Sequence, residues 1–269
     1  MPVPLLEARN LRKTFAAPAD KFASGARTRV AAVDDVSLEL APGETLAIVG
    51  ESGSGKTTLA RMLLRLIEPD SGELLIEGRD FLAARGSELR ALRREMQMVF
   101  QDPFGSLNPR MRVGTIIGEP LEIHPSQLTR AERAERVAEV LRAVGLNQDA
   151  LARYPHEFSG GQRQRIGIAR ALVLRPRLVI ADEPVSALDV SVGAQILELL
   201  QNLQRDFALT YLIISHSLPV VAQLATRISV MQGGGIVETG TAEQVLNAPA
   251  HPYTQSLIAA IPELPSVMK

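Results

Sequence analysis

The chain has 269 residues, enough for one large α/β domain or two small ones. Its 29 basic and 30 acidic residues leave a net charge of −1, which argues against a strongly electrostatic nucleic-acid binder. There is no cysteine, so disulfides, cysteine-ligated zinc and iron–sulfur clusters are excluded.

No apolar run approaches the ~18–20 residues that span a bilayer. Residues 1–13 reach charged side chains quickly and show no signal-peptide core. Any membrane role is therefore expected to run through a membrane-spanning partner.

Residues 5–13 alternate loosely and predict a strand at a sheet edge. Residues 16–29, rich in Ala, Pro, Gly, Lys and Arg, predict an exposed loop. Val36, Leu38 and Leu40 alternate with polar neighbours in a second strand over residues 33–40. Ala41-Pro42-Gly43-Glu44 turns it into Thr45-Leu46-Ala47-Ile48-Val49, an apolar run that reads as a buried strand. Next comes Gly50-Glu51-Ser52-Gly53-Ser54-Gly55-Lys56-Thr57-Thr58, which fits the pattern G-x-x-x-x-G-K-S/T at every fixed position. Leu59, Ala60, Met62, Leu63, Leu66 and Ile67 then recur at helical spacing. A strand at 73–76 completes a small, mostly antiparallel β region.

Residues 87–94 predict a helix leading to a strand, Met96 to Phe100, that ends at Gln101-Asp102-Pro103. From about 104 to 157 strand signals stop. The clearest helix there runs from Thr129 to Val144. Thr129 and Glu132 form a capping box, Val137, Val140, Leu141 and Val144 form an apolar stripe, and Gly145 stops the helix. Glu132 and Arg136, four apart, predict a solvated ion pair. Residues 104–172 read as a helical insert within an α/β domain. Leu178-Val179-Ile180-Ala181 has the continuous apolarity of a parallel strand buried on both faces. Ile196, Leu199, Leu200 and Leu203 stripe the next helix, and strands follow at 210–214 and 228–231. Gln232-Gly233-Gly234-Gly235 turns into Ile236-Val237-Glu238, and Thr241 with Gln244 caps a short helix. The tail from Asn247 is punctuated by Pro249, Pro252, Pro262 and Pro265.

The loop Gly50–Thr58 joins a strand to a helix N-terminus, where unpaired N–H groups and the positive end of the helix dipole face an anion. Its glycines let the backbone wrap phosphates. Lys56 is expected to reach the β- and γ-phosphates of a nucleoside triphosphate, and the Thr57 hydroxyl to help hold Mg²⁺. Asp182 and Glu183 follow the buried run 178–181, and in an open α/β sheet ligands bind beyond the carboxyl ends of strands. Asp182 is placed to hold Mg²⁺ through its water shell, and Glu183 to accept a proton from an attacking water. Ser159-Gly160-Gly161-Gln162 opens a further helix with capping-box spacing, and its two glycines leave the N-terminal N–H groups bare as a second anion site. His216 and Gln101 also stand at strand ends. His216 reads as a γ-phosphate contact or as a structural histidine. Gln101 reads as a water-orienting group, a Mg²⁺ contact or a plain loop residue. His124, His156 and His251 lack metal-ligand spacing.

The loop, Gln101, Ser159–Gln162, the 178–183 strand, Ser186-Ala187-Leu188-Asp189 and His216 occur in the order of an ATP-binding-cassette ATPase, a family that this chain resembles along almost its whole length. The resemblance implies a P-loop NTPase (RecA-like) α/β core with a mostly antiparallel β subdomain and an inserted α-helical subdomain. Residues 1–103 and 173–235 would form the core, 104–172 the insert and 236–269 a C-terminal extension. Gly50–Thr58 would be the Walker A motif, Gln101 the Q-loop glutamine, Ser159–Gln162 the signature and Asp182 the Walker B aspartate. Glu183 would be the catalytic glutamate, Asp189 the end of the D-loop and His216 the switch histidine. Phe15, Arg27 or Arg29 would stack on adenine.

The family works as a head-to-tail dimer in which each ATP lies between one subunit's Walker A and the other's signature. Residues 101–110, 155–165 and 251–257 resemble the ATPase subunits of dipeptide and oligopeptide importers, traits shared by some nickel and glutathione importers. Phe158 and Ser217 depart from the commoner Leu and Asp of the wider family. The expected activity is hydrolysis of ATP with Mg²⁺ at the cytoplasmic face of a bacterial membrane. The expected partners are a second cassette subunit, two integral membrane permeases and, indirectly, a solute-binding protein, with no nucleic acid. A soluble cassette ATPase acting on DNA or ribosomes would carry two cassettes, coiled coils or zinc modules. A P-loop kinase would not need the Ser159 motif.

Overall fold

The computed structural model describes residues 3–16, 29–102, 105–124 and 127–260. The loop expected at 16–29 falls almost wholly outside them, as do Arg27, Pro103, Pro262 and Pro265. In chain order the first elements are β1 (Leu6–Ala16), β2 (Arg29–Leu40), β3 (Thr45–Val49), α1 (Lys56–Leu63), β4 (Ser71–Ile76) and the short β5 (Arg79–Asp80). Then come α2 (Gly86–Arg94), β6 (Met96–Val99), α3 (Val113–Ile123), α4 (Arg130–Ala143), α5 (Gly160–Leu172), β7 (Leu178–Asp182) and α6 (Val190–Phe207). The last are β8 (Thr210–Ser215), α7 (Leu218–Leu224), β9 (Arg227–Gln232), β10 (Gly235–Thr241), α8 (Ala242–Asn247) and α9 (Pro252–Ala259). Two compact units result: Met1–Ala41 with Thr45–Ala84 and Ile214–Lys269, and Pro42–Glu44 with Arg85–Ile213.

In the first unit an antiparallel sheet has the order β2-β1-β4-β5. β1 is therefore an inner strand rather than the expected edge, with β2 on one side and β4 on the other. The weak alternation that suggested an edge comes from a break in register between Ala8 and Leu11, where Asn10 takes a left-handed φ of 50°. Also in this unit, β3 runs parallel to β9, and β9 pairs antiparallel with β10. Every residue of β3 is buried. Ala47 and Val49 of β3 pack with Leu218, Val221, Ile228, Val230 and Val245, and Tyr253, Leu257 and Ile258 of α9 lie against this cluster. Burying each such aliphatic side chain contributes about 1.5–3 kcal/mol, so the strand feeding the loop is held firmly.

Helix α1 ends sooner than its apolar spacing suggested. Arg65 turns left-handed at φ 52°, and Leu66, counted into the stripe, is 54% exposed. A Schellman closure ends the helix, with the Arg65 N–H on the Met62 carbonyl and the Leu66 N–H on that of Arg61, each at 2.8 Å, while the buried Arg65 guanidinium donates to the carbonyls of Phe81 at 2.9 Å and Ala84 at 2.7 Å. The Phe81 and Ala84 partners of that guanidinium are not encoded locally.

In the second unit β6 and β7 are parallel, in the register Met96↔Leu178 to Val99↔Ala181. β7 is buried throughout, as its unbroken apolarity requires. Helices α3 and α4 pack on α5. The capping box at Thr129 forms as expected, and Gly145 ends the segment at φ 74°. The expected Glu132–Arg136 pair does not form. Glu132 turns back to accept from the Thr129 N–H at 2.6 Å and hydroxyl at 2.7 Å, and Arg136 pairs instead with Glu139 at 3.2 Å. The cap has the stronger claim because it satisfies an orphan helix donor, whereas an exposed ion pair is worth little.

Candidate nucleotide site

The first unit holds the loop Gly50–Thr58 between β3 and α1. Gly55, at φ 104°, is the N-cap of α1; no side chain caps the helix and no acidic residue stands in its first turn. The positive end of the helix is therefore left for an anion. The loop is pressed against neighbouring backbone. A Cβ on Gly50 would stand 2.1 Å from the Met231 carbonyl oxygen, and one on Gly55 2.0 Å from that of Ala32. Only glycine fits at these two positions. Lys56 is buried and its ammonium donates to the carbonyls of Gly50 and Glu51, each at 2.7 Å, and to Ser54 Oγ at 3.2 Å. Thr57 and Thr58 are half-buried on the first turn of α1, while Glu51, Ser52 and Gly53 are exposed. His216 follows β8 in this unit and is exposed. Phe15 is the penultimate residue of β1, is 41% exposed, and has Lys13 Nζ 5.8 Å from its ring centre.

The second unit holds the acidic pair. Because β6 and β7 end in register, Gln101 and Glu183 emerge side by side, and Gln101 Nε2 donates to Glu183 Oε2 at 2.8 Å. Glu183 has a left-handed φ of 48°, a backbone state that costs a non-glycine residue energy and is retained where surroundings demand it. Those surroundings include Ser186, whose N–H and hydroxyl both donate to the Glu183 carbonyl, at 3.2 and 3.1 Å. Asp182, 3% exposed, closes the buried strand.

Ser159 caps α5 through a full capping box: its Oγ accepts the Gln162 N–H at 3.4 Å, and Gln162 Oε1 accepts the Ser159 N–H at 3.1 Å. Ser159 is exposed and Gly160 half-buried, but Gly161 is buried. A Cβ there would stand 2.3 Å from Val192 Cγ1, so the second glycine also makes room for α6. Asp189 caps α6. Its carboxylate accepts the Val192 N–H at 2.9 Å and the Ser191 hydroxyl at 2.8 Å, and these bonds, the backbone one first, hold its pKa below the usual carboxylate range.

Two features had no sequence signal. The Gln101–Glu183 contact joins residues 82 positions apart. The other is Tyr253, whose hydroxyl accepts the Glu51 N–H at 3.0 Å within the first unit. Tyr253 stands in the 251–257 run that resembles the importer subunits, but nothing in that run points to the loop.

Residues 33–186 match the ABC transporter family model, and residues 237–268 match the oligopeptide/dipeptide transporter C-terminal region. The chain is 53% identical over 263 residues to the dipeptide transport ATP-binding protein DppF of Lactococcus lactis, covering 97% of this chain and 82% of that protein. It is 49% identical to the oligopeptide transport ATP-binding protein OppF of Streptococcus mutans, covering 98% and 84% respectively. Among solved structures, the dimeric post-hydrolysis state of the ATP-binding cassette MJ0796 bound to ADP and Pi is 29% identical, with a TM-score of 0.76 over 88% of this chain and 98% of that one. A family match over residues 33–186 and near full-length likeness at 53% identity show that the chain belongs to the ABC transporter family, as its ATP-hydrolysing cassette subunit.

Proposed function

We propose that this subunit energises import of dipeptides or short oligopeptides through separate membrane permeases. The observation that carries the cargo is the 53% identity, over 97% of the chain, to a dipeptide transport ATP-binding protein. The match of residues 237–268 to the oligopeptide/dipeptide C-terminal region supports it.

Gly50–Thr58 and the N-terminal amides of α1 cradle the phosphates, and Lys56 draws charge from the β- and γ-phosphates. Glu183 takes a proton from the attacking water, and Gln101, hydrogen-bonded to it, holds that carboxylate toward the water. His216 contacts the γ-phosphate. Phe15 or Arg29 stacks on adenine. Ser159, with the amides of Gly160 and Gly161, binds the γ-phosphate held by a second cassette subunit, and Asp189 lies in the segment that meets that subunit. Thr57 and Asp182 offer a hydroxyl and a carboxylate, hard oxygen donors that suit Mg²⁺. When bound, Mg²⁺ neutralises charge that develops on the phosphoryl oxygens.

The subunit works peripherally at the cytoplasmic face of the plasma membrane, beside two permeases served by a solute-binding protein. In support, no helix among the described residues is long and apolar enough to cross a membrane. The cargo is tested by uptake of a radiolabelled dipeptide in cells from which this chain has been deleted. Uptake is expected to fall to background, to return with the wild-type chain, and not to return with Glu183→Gln. Undiminished uptake in the deletion strain would overturn the cargo reading.

A further inference from the structure

The peptide group between Gly50 and Glu51 is pinned at both ends. Its carbonyl oxygen accepts from Lys56 Nζ at 2.7 Å, and its N–H donates to the Tyr253 hydroxyl at 3.0 Å. Gly50 sits at φ 151°, where a residue without a Cβ lets a peptide plane turn easily. The pin therefore matters more here than it would between two ordinary residues.

Tyr253 is itself held by three devices. Glu238 of β10 accepts the N–H groups of Ala250 and His251 at 2.8 and 3.0 Å, which fixes the entry to α9. His251 caps that helix by accepting the Tyr253 N–H on Nδ1 at 3.2 Å. The Tyr253 ring packs against the cluster that includes Ala47 and Val49 of β3. The strand that carries the loop and the helix that braces it thus share one apolar core, and the hydroxyl reaches from it to the loop.

We propose that Tyr253 is a positioning residue for ATP binding. Its hydroxyl fixes the 50–51 peptide plane and, through the Gly50 carbonyl, the place of the Lys56 ammonium. The C-terminal extension then acts as a brace for the phosphate loop. This rests on the reading of Lys56 as a ligand of the β- and γ-phosphates.

The test uses the full chain. Tyr253→Phe keeps the ring in its core and deletes only the hydroxyl. One neutral hydrogen bond corresponds to a change of roughly 3–10-fold. The KM for ATP is expected to rise by that factor, with kcat within about twofold and the thermal midpoint within ~2 °C of wild type. Tyr253→Leu, which also empties part of the core, should raise KM as much and lower the midpoint clearly. A KM for Tyr253→Phe equal to wild type overturns the proposal. So does a rise in KM accompanied by an equal loss of thermal stability, since that marks a purely structural role. Lys56→Ala separates the two readings. If it leaves ATP affinity intact, the loop assignment itself fails. If it abolishes binding while Tyr253→Phe changes nothing, only the brace fails.

Discussion

Gly53 and Gly55 lie two residues apart in the same loop, both with left-handed backbone, at φ 83° and 104°. They differ in what surrounds them. A Cβ on Gly53 would meet nothing within 4 Å, whereas one on Gly55 would stand 2.0 Å from the Ala32 carbonyl oxygen and 2.8 Å from Met231 Cε. Gly53→Ala therefore adds only the left-handed strain of an alanine, about 1–2 kcal/mol. Gly55→Ala adds that strain plus an overpacking cost of roughly 1–3 kcal/mol, because the Ala32 oxygen is backbone in β2 and cannot swing aside as a side-chain tip would. The total, about 2–5 kcal/mol, corresponds to roughly 30-fold or more, against ~5–30-fold for Gly53→Ala. Titration with a fluorescent ATP analogue reads the share that distorts the loop, and urea unfolding without nucleotide reads the share that strains the fold. Summed over both, Gly55→Ala should lose clearly more than Gly53→Ala. Equal losses for the two variants would refute the claim that the loop is pressed against β2.

Glu183→Gln should keep ATP affinity within about threefold while hydrolysis falls by a factor on the order of 10² or more, as loss of a general base requires; single-turnover hydrolysis at the wild-type rate would remove Glu183 from the chemistry. Asp70 is held at a pKa of about 2 by its bonds to Lys13 first, then to the Thr14 N–H and hydroxyl. A lowered folded-state pKa stabilises the fold above the ordinary carboxylate pKa of about 4, and that contribution is lost as pH falls through about 2. Asp70→Asn should thus be less stable than wild type at pH 7, by no more than about 1 kcal/mol because the pair is partly exposed, and the difference should close between pH 4 and 2. A difference that persists unchanged down to pH 2 would contradict this.

What the sequence made plain was local. The strand–loop–helix around Lys56 is one contiguous pattern, and the caps at Thr129, Ser159 and Thr241 each need only four neighbouring residues. What it hid depends on partners far along the chain. The inner position of β1 turns on its pairing with two other strands, and the burial of Arg65 at the end of α1 on carbonyls at 81 and 84. The packing role of Gly161 depends on Val192, and the Gln101–Glu183 bond on a register between strands. Tyr253 reaches the loop from 202 residues away, and α9, which carries it, sits in a stretch whose prolines read as a tail. Pro252 in fact occupies the first turn of that helix, where a missing N–H costs nothing.

In the proposed mechanism Gly50–Thr58 forms half of a nucleotide site that Ser159-Gly160-Gly161 of a second cassette completes. The rate of ATP hydrolysis by the purified full chain, measured against its own concentration across the dimerisation range, tests this most directly. The rate should rise more than linearly, and equimolar Ser159→Arg chain added to wild type should depress it. A strictly linear dependence, unaffected by the Ser159→Arg chain, would contradict the shared site.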